Sequence, residues 1–307
     1  MKIKLPGVLQ RMRYVINCAV NDWFNHRDAS KGAALAFYTL FSMAPILVLV
    51  IAVAGTFFGE QVAQHEIVAQ LRQLIGSQGA EAVQLILVGA SDHVEGLRAT
   101  LIATVLLLFG ATSVFAELKA SLDEIWELPA VREFSLWDLL RTRLLSFGLV
   151  LVLAFLMMVS LVLSAALAVL ERYWGGIWRD AAPLLSSLAG LIGFSVIATL
   201  FAVIYKMLPR VRLSWYDVFI GSLGTAGLFT LGKFSIGLYI GNGSVTNSFG
   251  AAGSIVALLL WVYYSAQIFF LGAEFTRHYA LHFGSLKNAK QAKQATTATS
   301  LDKPTQI

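Results

Sequence analysis

The sequence predicts an all-α, polytopic membrane protein with six transmembrane helices, an N-terminal amphipathic interfacial helix and an external helical cap. Three observations predict it. Of 307 residues, 57% are hydrophobic and 13% charged, about half the roughly 25% charge of a soluble domain, and the mean hydropathy is +0.71. The apolar residues gather into six runs, 33–58, 97–116, 144–170, 183–208, 215–240 and 249–273, each long enough for a crossing of about 20 residues. Lys and Arg are distributed asymmetrically between alternate connecting segments. Disorder is excluded by the same composition, and a disulfide scaffold by the presence of a single cysteine, Cys18. Barrel strands would be alternating segments of about 10 residues. Continuous runs of this length must instead be helices, which satisfy their backbone polar groups internally in lipid.

Residues 1–32 are expected to form a cytoplasmic amphipathic segment. They carry Lys2, Lys4, Arg11, Arg13, Arg27 and Lys31 without an uninterrupted apolar core, so no secretory signal peptide is expected. Val8, Met12, Val15, Ala19, Trp23 and their neighbours recur at helical spacing. Such a stripe suits a helix lying in the membrane interface or one packed beneath the bundle. Residues 33–283 form the transmembrane domain. Pro45 lies inside the first span and predicts a kink, with Tyr38, Thr39 and Ser42 just before it to re-satisfy freed carbonyls or line a cavity. The long 59–96 segment has two apolar periodicities separated by Gly76 and Gly79. It is predicted to form two short amphipathic helices capping the external face, as a seal or as an entrance and docking surface. Residues 284–307 are polar and aperiodic and are expected to be a disordered cytoplasmic tail.

Orientation follows from the basic residues. Eighteen of the 23 Lys and Arg residues lie in the N-terminus, the 117–143 and 206–214 loops and the tail, and four lie in the alternate segments. Both termini are therefore expected in the cytoplasm. The net charge of +5 is then topological, and nucleic acid is not an expected partner.

Ionisable groups inside or at the ends of spans mark candidate function, because charge in hydrocarbon is costly. Lys233 sits in the fifth span, where it either snorkels outward or faces a polar cavity. Glu117 and Lys119 are placed at the end of span two, Glu274 and Arg277 at the end of span six, and Arg27 and Lys31 before span one. Opposite charges at one depth suggest an ion-pair network that either staples helix ends or forms a gate. Arg277, at i+3, can face Glu274, whereas Lys119 diverges from Glu117. Glu117 then needs a partner from another helix, with Arg27, Lys31 or Arg277 as the cations available. Tyr38, Ser42, Pro45, Glu117, Lys233 and Glu274 are the candidate pathway or gate residues. Gly221, Gly224, Gly227, Gly250 and Gly253 are the candidate helix-packing residues, small enough for close approach; the alternative is a mobile or unwound segment of the transporter kind. No inverted repeat is recognisable. The uncharged 239–248 turn is the candidate region for an external site.

No catalytic signature is present: no H-E-x-x-H, Cys cluster, G-x-S-x-G, Walker A or G-x-G-x-x-G. His278 and His282 have ligand spacing but lie just past the last span, where interfacial side chains are expected, so neither a metal nor a cofactor is expected.

Four stretches, in order, resemble the YihY/virulence factor BrkB family of bacterial inner-membrane proteins. They are Ala33–Pro45, Ser113–Trp126, Ile204-Tyr-Lys-Met-Leu-Pro209 and Gly253–Glu274. The resemblance spans roughly residues 25–283. Where the family has Tyr-Gly-Ser between spans five and six, this chain reads Asn247-Ser-Phe-Gly250. The resemblance implies six spans and an inner-membrane address. The "ribonuclease BN" label carried by some members does not transfer, because no residue set here would activate water or a 2′-hydroxyl. The expected function is envelope-related transport or permeation of a lipid or small solute, with membrane lipids as partners. The alternative is a non-transporting scaffold that binds an envelope protein through the 59–96 cap. A polar intramembrane cavity shared by Lys233, Ser42 and Glu274 would favour transport, and a dry bundle the scaffold.

Overall fold

A computed structural model describes residues 7–91, 113–114, 116–128, 182–211, 213–241 and 252–287. All regular structure among the described residues is helical: α1 (Gly7–Asn25), α2 (Asp28–Phe58), α3 (Glu60–Ser91), α4 (Ala182–Met207), α5 (Trp215–Gly241) and α6 (Gly253–His282). A further helical segment covers 116–125. Among the described residues, three stretches are long and apolar enough to cross a membrane, Gly190–Met207, Trp215–Ile236 and Gly253–His282. Predicted span one lies within α2; span three, span two apart from residues 113, 114 and 116, the 242–248 part of the external turn and the tail beyond 287 fall outside the described residues.

α6 is the central helix. It packs against α1, α2, α3 and α5, while α4 packs on α5 and α3 on α2. Small residues set these approaches. A methyl group at Gly221 would overlap Thr276, and one at Gly232 would overlap Tyr264 and Ile268, so α5 runs antiparallel to α6 with 221 level with 276 and 232 level with 264. A side chain at Gly32 would overlap Gln267, which brings the start of α2 against the second half of α6.

Two apolar cores result. One, near the C-terminal half of α6, joins Leu35, Leu122, Ile125, Tyr205, Phe269 and Phe270. The other, near its N-terminal half, joins Leu47 and Ile51 of α2, Val83 and Leu87 of α3, and Leu258. Tyr205 ties α4 to both neighbours: its hydroxyl donates to the Phe269 carbonyl at 2.7 Å and lies 3.2 Å from Thr225 Oγ1. The outer faces are apolar. Phe37, Phe41, Leu191, Phe219, Leu231 and Phe234 are exposed, a surface mismatched to water and matched to hydrocarbon.

The structure refines several sequence expectations. α2 is one continuous helix from 28 to 58 across Pro45. α3 is interrupted at Gly76 alone, where φ is 81° and ψ 174°, a conformation that glycine adopts without a Cβ penalty; Gly79 stays helical. The last helix starts at Gly253 and continues to His282, nine residues past the predicted end of span six. The cost of ending a helix inside the bundle explains the extension, since the last four carbonyls of a helix need partners. Here they reach a turn where Phe283 and Gly284 donate back to the Tyr279 carbonyl. Asp217, at the start of α5, then accepts from Ser285 N at 2.9 Å and Ser285 Oγ at 2.6 Å.

A buried polar cluster at the end of the last helix

The extension of α6 carries Glu274, Arg277 and His278 on one face, at i, i+3 and i+4. α1 brings Asp22, and the turn after it brings His26, whose backbone N–H bonds to the Asp22 carbonyl at 2.8 Å. Each strand of chain thus presents a carboxylate followed four residues later by a histidine. The pairs cross over. His278 Nε2 lies 2.8 Å from Asp22 Oδ2, and His26 Nδ1 lies 2.5 Å from Glu274 Oε1. Arg277 sits between them, with Nη1 3.2 Å from Asp22 Oδ2 and 3.6 Å from Glu274 Oε2, and Nη2 paired with Glu127. A second ion-pair group adjoins it, with Lys31 Nζ 3.0 Å from Asp28 Oδ1 and 3.3 Å from Glu124 Oε1.

The cluster is acidic and buried at its centre, while Glu124 and Glu127 at its rim are more than half exposed. Glu274 and Asp28 are 0% exposed. Five carboxylates, Asp22, Asp28, Glu124, Glu127 and Glu274, face two permanently charged cations, Lys31 and Arg277. Glu274 Oε2, His278 Nδ1 and Asp28 Oδ2 are buried without a hydrogen-bond partner, which is uncommon for buried polar atoms. Asp28 responds as burial dictates: desolvation holds its carboxyl above the ordinary value, and Lys31 offsets this only in part. Asp22 responds oppositely. Burial pushes it up, but the His278 hydrogen bond, the nearby charges of His278 and Arg277 and the Asn25 hydrogen bond outweigh it, so its carboxyl lies below the ordinary range.

Backbone strain is concentrated at the same place. Arg27, at φ 54°, and Glu127, at φ 49°, are the non-glycine residues with positive φ among those described. Arg27 lets the chain turn between α1 and α2 while both run along α6, which sets His26 and Asp28 on the cluster. Glu127 ends the 116–125 helical segment, with the Leu128 N–H bonded to the Asp123 carbonyl at 3.0 Å, and presents its carboxylate to Arg277. A left-handed residue with a side chain costs about 1–2 kcal/mol, and both are held by this junction.

The candidate residues do not share one cavity. Ser42 is buried and donates to the Thr39 carbonyl at 3.1 Å, at the α2 level where Leu47 meets Leu258. Lys233 is half-buried beside Gly232, level with Tyr264. Glu274 lies ten residues further along α6, about 15 Å at 1.5 Å per residue. Tyr38 is half-buried on α2. Glu117 is half-buried near the start of the 116–125 segment and makes no ion pair with another described residue. Its expected partners are otherwise placed: Lys31 is on Asp28 and Glu124, Arg277 is on Asp22, Glu127 and Glu274, and Arg27 is exposed in the turn. The next turns of the same segment, with Glu124 and Glu127, reach the cations instead. Of the glycines, Gly221 is in tight contact, Gly224 only touches Phe275, Gly227 faces no neighbour, and Gly253 is buried at the start of α6. Gly250 lies outside the described residues. Sequence reasoning missed Asp22, His26, His278, Glu124 and Glu127 as a group. The available signal was the repeated spacing of Asp22 with His26 and Glu274 with His278.

Comparison with known sequences places this architecture. The pattern of the virulence factor BrkB family matches residues 23–297. The chain belongs to the BrkB family. Similar relatives are UPF0761 membrane proteins: one from Rhodospirillum centenum is 28% identical over 287 residues, 89% of this chain and 59% of the relative. One from Ralstonia nicotianae is 26% identical over 271 residues, 88% of this chain and 58% of the relative. One from Neisseria meningitidis serogroup B is 27% identical over 243 residues, 77% and 56% respectively. This BrkB-family chain therefore spans under three fifths of the length of these three relatives. No solved structure matches it. The BrkB match begins at Trp23, so His26, the strained Arg27 turn and all of α6 lie within it, while Asp22 lies just before it.

Proposed function

We propose that this BrkB-family membrane protein passes or gates a lipid or small solute across the bacterial inner membrane, with the polar cluster at the end of α6 as its control point. The observation that carries the reading is Glu274, a fully buried carboxylate at the end of a membrane-spanning helix, held among two histidines and an arginine. Ionisable residues in such positions are expensive and mark pathways and relays. A helix that only packs would end in apolar contacts or single snorkelling cations.

The same reading sets six spans, both termini in the cytoplasm, and α1 lying in the interface on its exposed Tyr14, Ile16, Val20 and Phe24. Reporter fusions at both termini and at residue 80 test the orientation. Cytoplasmic termini with residue 80 outside are expected, and an external C-terminus would reverse the assignment. The function itself is tested in vesicles reconstituted with the purified chain, by following bleaching of a fluorescent phospholipid and release of trapped solutes. Passage above that of protein-free vesicles is expected; parity for every lipid and solute would remove the proposal.

The scaffold reading is favoured by two features: among the described residues Lys233, Ser42 and Glu274 share no cavity, and a polar cavity of about 380 Å³ lies on α3, lined mainly by Gln61, Gln64, His65, Arg72 and Gln84. Inactive vesicles together with a stable envelope complex held through these residues would make it the better account.

A further inference from the structure

We infer that the reciprocal pairs Asp22–His278 and His26–Glu274 form a binding site for one divalent transition-metal ion. Donor atoms of Asp22, Glu274 and His278 all lie within 4.8 Å of one another. His26 Nδ1, 2.5 Å from Glu274 Oε1, adds a second imidazole at the edge of the same group. Bringing three or four such atoms to about 2.0–2.2 Å from a common ion takes side-chain shifts of about 1 Å and no movement of the helices. A set of imidazole nitrogens and carboxylate oxygens suits zinc and its first-row neighbours, whereas magnesium and calcium prefer oxygen alone.

Two independent features point to a cation here. Glu274 is 0% exposed, and its Oε2 has no hydrogen-bond partner, so a buried acceptor is left unsatisfied. The less exposed carboxylates of the junction, Asp22, Asp28 and Glu274, also outnumber its permanent cations, Lys31 and Arg277, by one. Arg277 is the objection, because its guanidinium touches Asp22 and stands 3.6 Å from Glu274. Its Nη2 is already committed to Glu127, so it can remain as an outer partner that orients the carboxylates, as the groups around metal ligands commonly do. No metal signature is readable along the chain because the two halves of the site are about 250 residues apart.

The test uses the untagged full chain in detergent, stripped with a chelator and dialysed against Zn²⁺, with metal content measured by mass spectrometry and binding by calorimetry. We expect about one Zn²⁺ per chain, undiminished by excess Mg²⁺. Glu274→Gln and Asp22→Asn, which keep side-chain shape, should each weaken binding at least tenfold. His65→Gln, on α3, should leave it unchanged. Cobalt substitution of the parent gives a readout that needs no variant to fold. Visible d–d bands without thiolate charge transfer from Cys18 are expected. A stoichiometry well below one, binding that survives in the Glu274→Gln, Asp22→Asn double variant, or cobalt bands showing thiolate ligation would each overturn the inference. Metal content is read without any flux, so this site and the permeation reading can fail separately.

Discussion

Replacing Glu274 by alanine should be among the most damaging single changes at the end of α6. The carboxylate has no contact with solvent and is the partner of His26 at 2.5 Å. It also stands 3.6 Å from Arg277, whose side chain is 7% exposed. Its removal leaves both groups in place without it, and Arg277 loses one of the three carboxylates around it. Removing one partner of a buried pair costs about 3–5 kcal/mol, because the remaining charge stays desolvated. Glu117 is the internal comparison. It is half-buried and forms no ion pair with a described residue, so Glu117→Ala should cost no more than the roughly 0–1 kcal/mol of an exposed pair. The assay is equilibrium unfolding of the purified chain in mixed detergent micelles, followed by helical circular dichroism. Glu274→Ala should lose several kcal/mol, Glu274→Gln less, and Glu117→Ala little. Equal stability of Glu274→Ala and the parent would refute the argument that the cluster is a desolvated network. A Glu117→Ala loss as large as that of Glu274→Ala would show that the partners have been misassigned.

The same unfolding assay tests the packing. Gly221→Ala forces a methyl group into Thr276 and should cost about 1–3 kcal/mol by overpacking. Gly227→Ala meets nothing within 4 Å and should be neutral or gain about 0.5–1 kcal/mol of helix propensity; the reverse order would contradict the α5–α6 register. Asp28 sets a pH dependence. Its folded-state value is raised by burial, so the folded chain binds that proton more tightly than the unfolded one. Its contribution to stability is then present below the ordinary carboxylate value, falls as pH rises through the raised value, and is flat above it. Asp28→Asn should lack that component; an unchanged profile in the acid range would show that Asp28 is not desolvated.

The helical class was readable because length and continuity of apolar runs leave lipid few other solutions. α4 and α5 fall close to their predicted bounds for that reason. The end of α6 was not readable. Hydropathy falls at Glu274, yet the helix continues, because Arg277 and His278 find partners on α1 that no local window contains. Glu274 itself stood out as a carboxylate at a span end, and Arg277 as its i+3 neighbour. Asp22 and His26 did not, since in a segment rich in charge they look like a solvated face. Their role depends on the left-handed turn at Arg27, for which an arginine gives no sequence signal. Glu117, expected to meet Arg27, Lys31 or Arg277, pairs with none of them; Glu127, ten residues on, reaches Arg277 instead. Among the glycines, the sequence could supply small size but not facing direction, which is why Gly221 and Gly227 look alike along the chain and differ in the structure.

The most direct test of the central claim is flux through vesicles reconstituted with the parent chain and with Glu274→Gln at matched protein content and orientation. The variant keeps the side-chain shape and removes the charge at the control point. The account predicts that the parent passes a lipid or small solute and that Glu274→Gln changes the rate at least tenfold while remaining folded and inserted. Flux identical in parent and variant would place the pathway elsewhere and contradict the account.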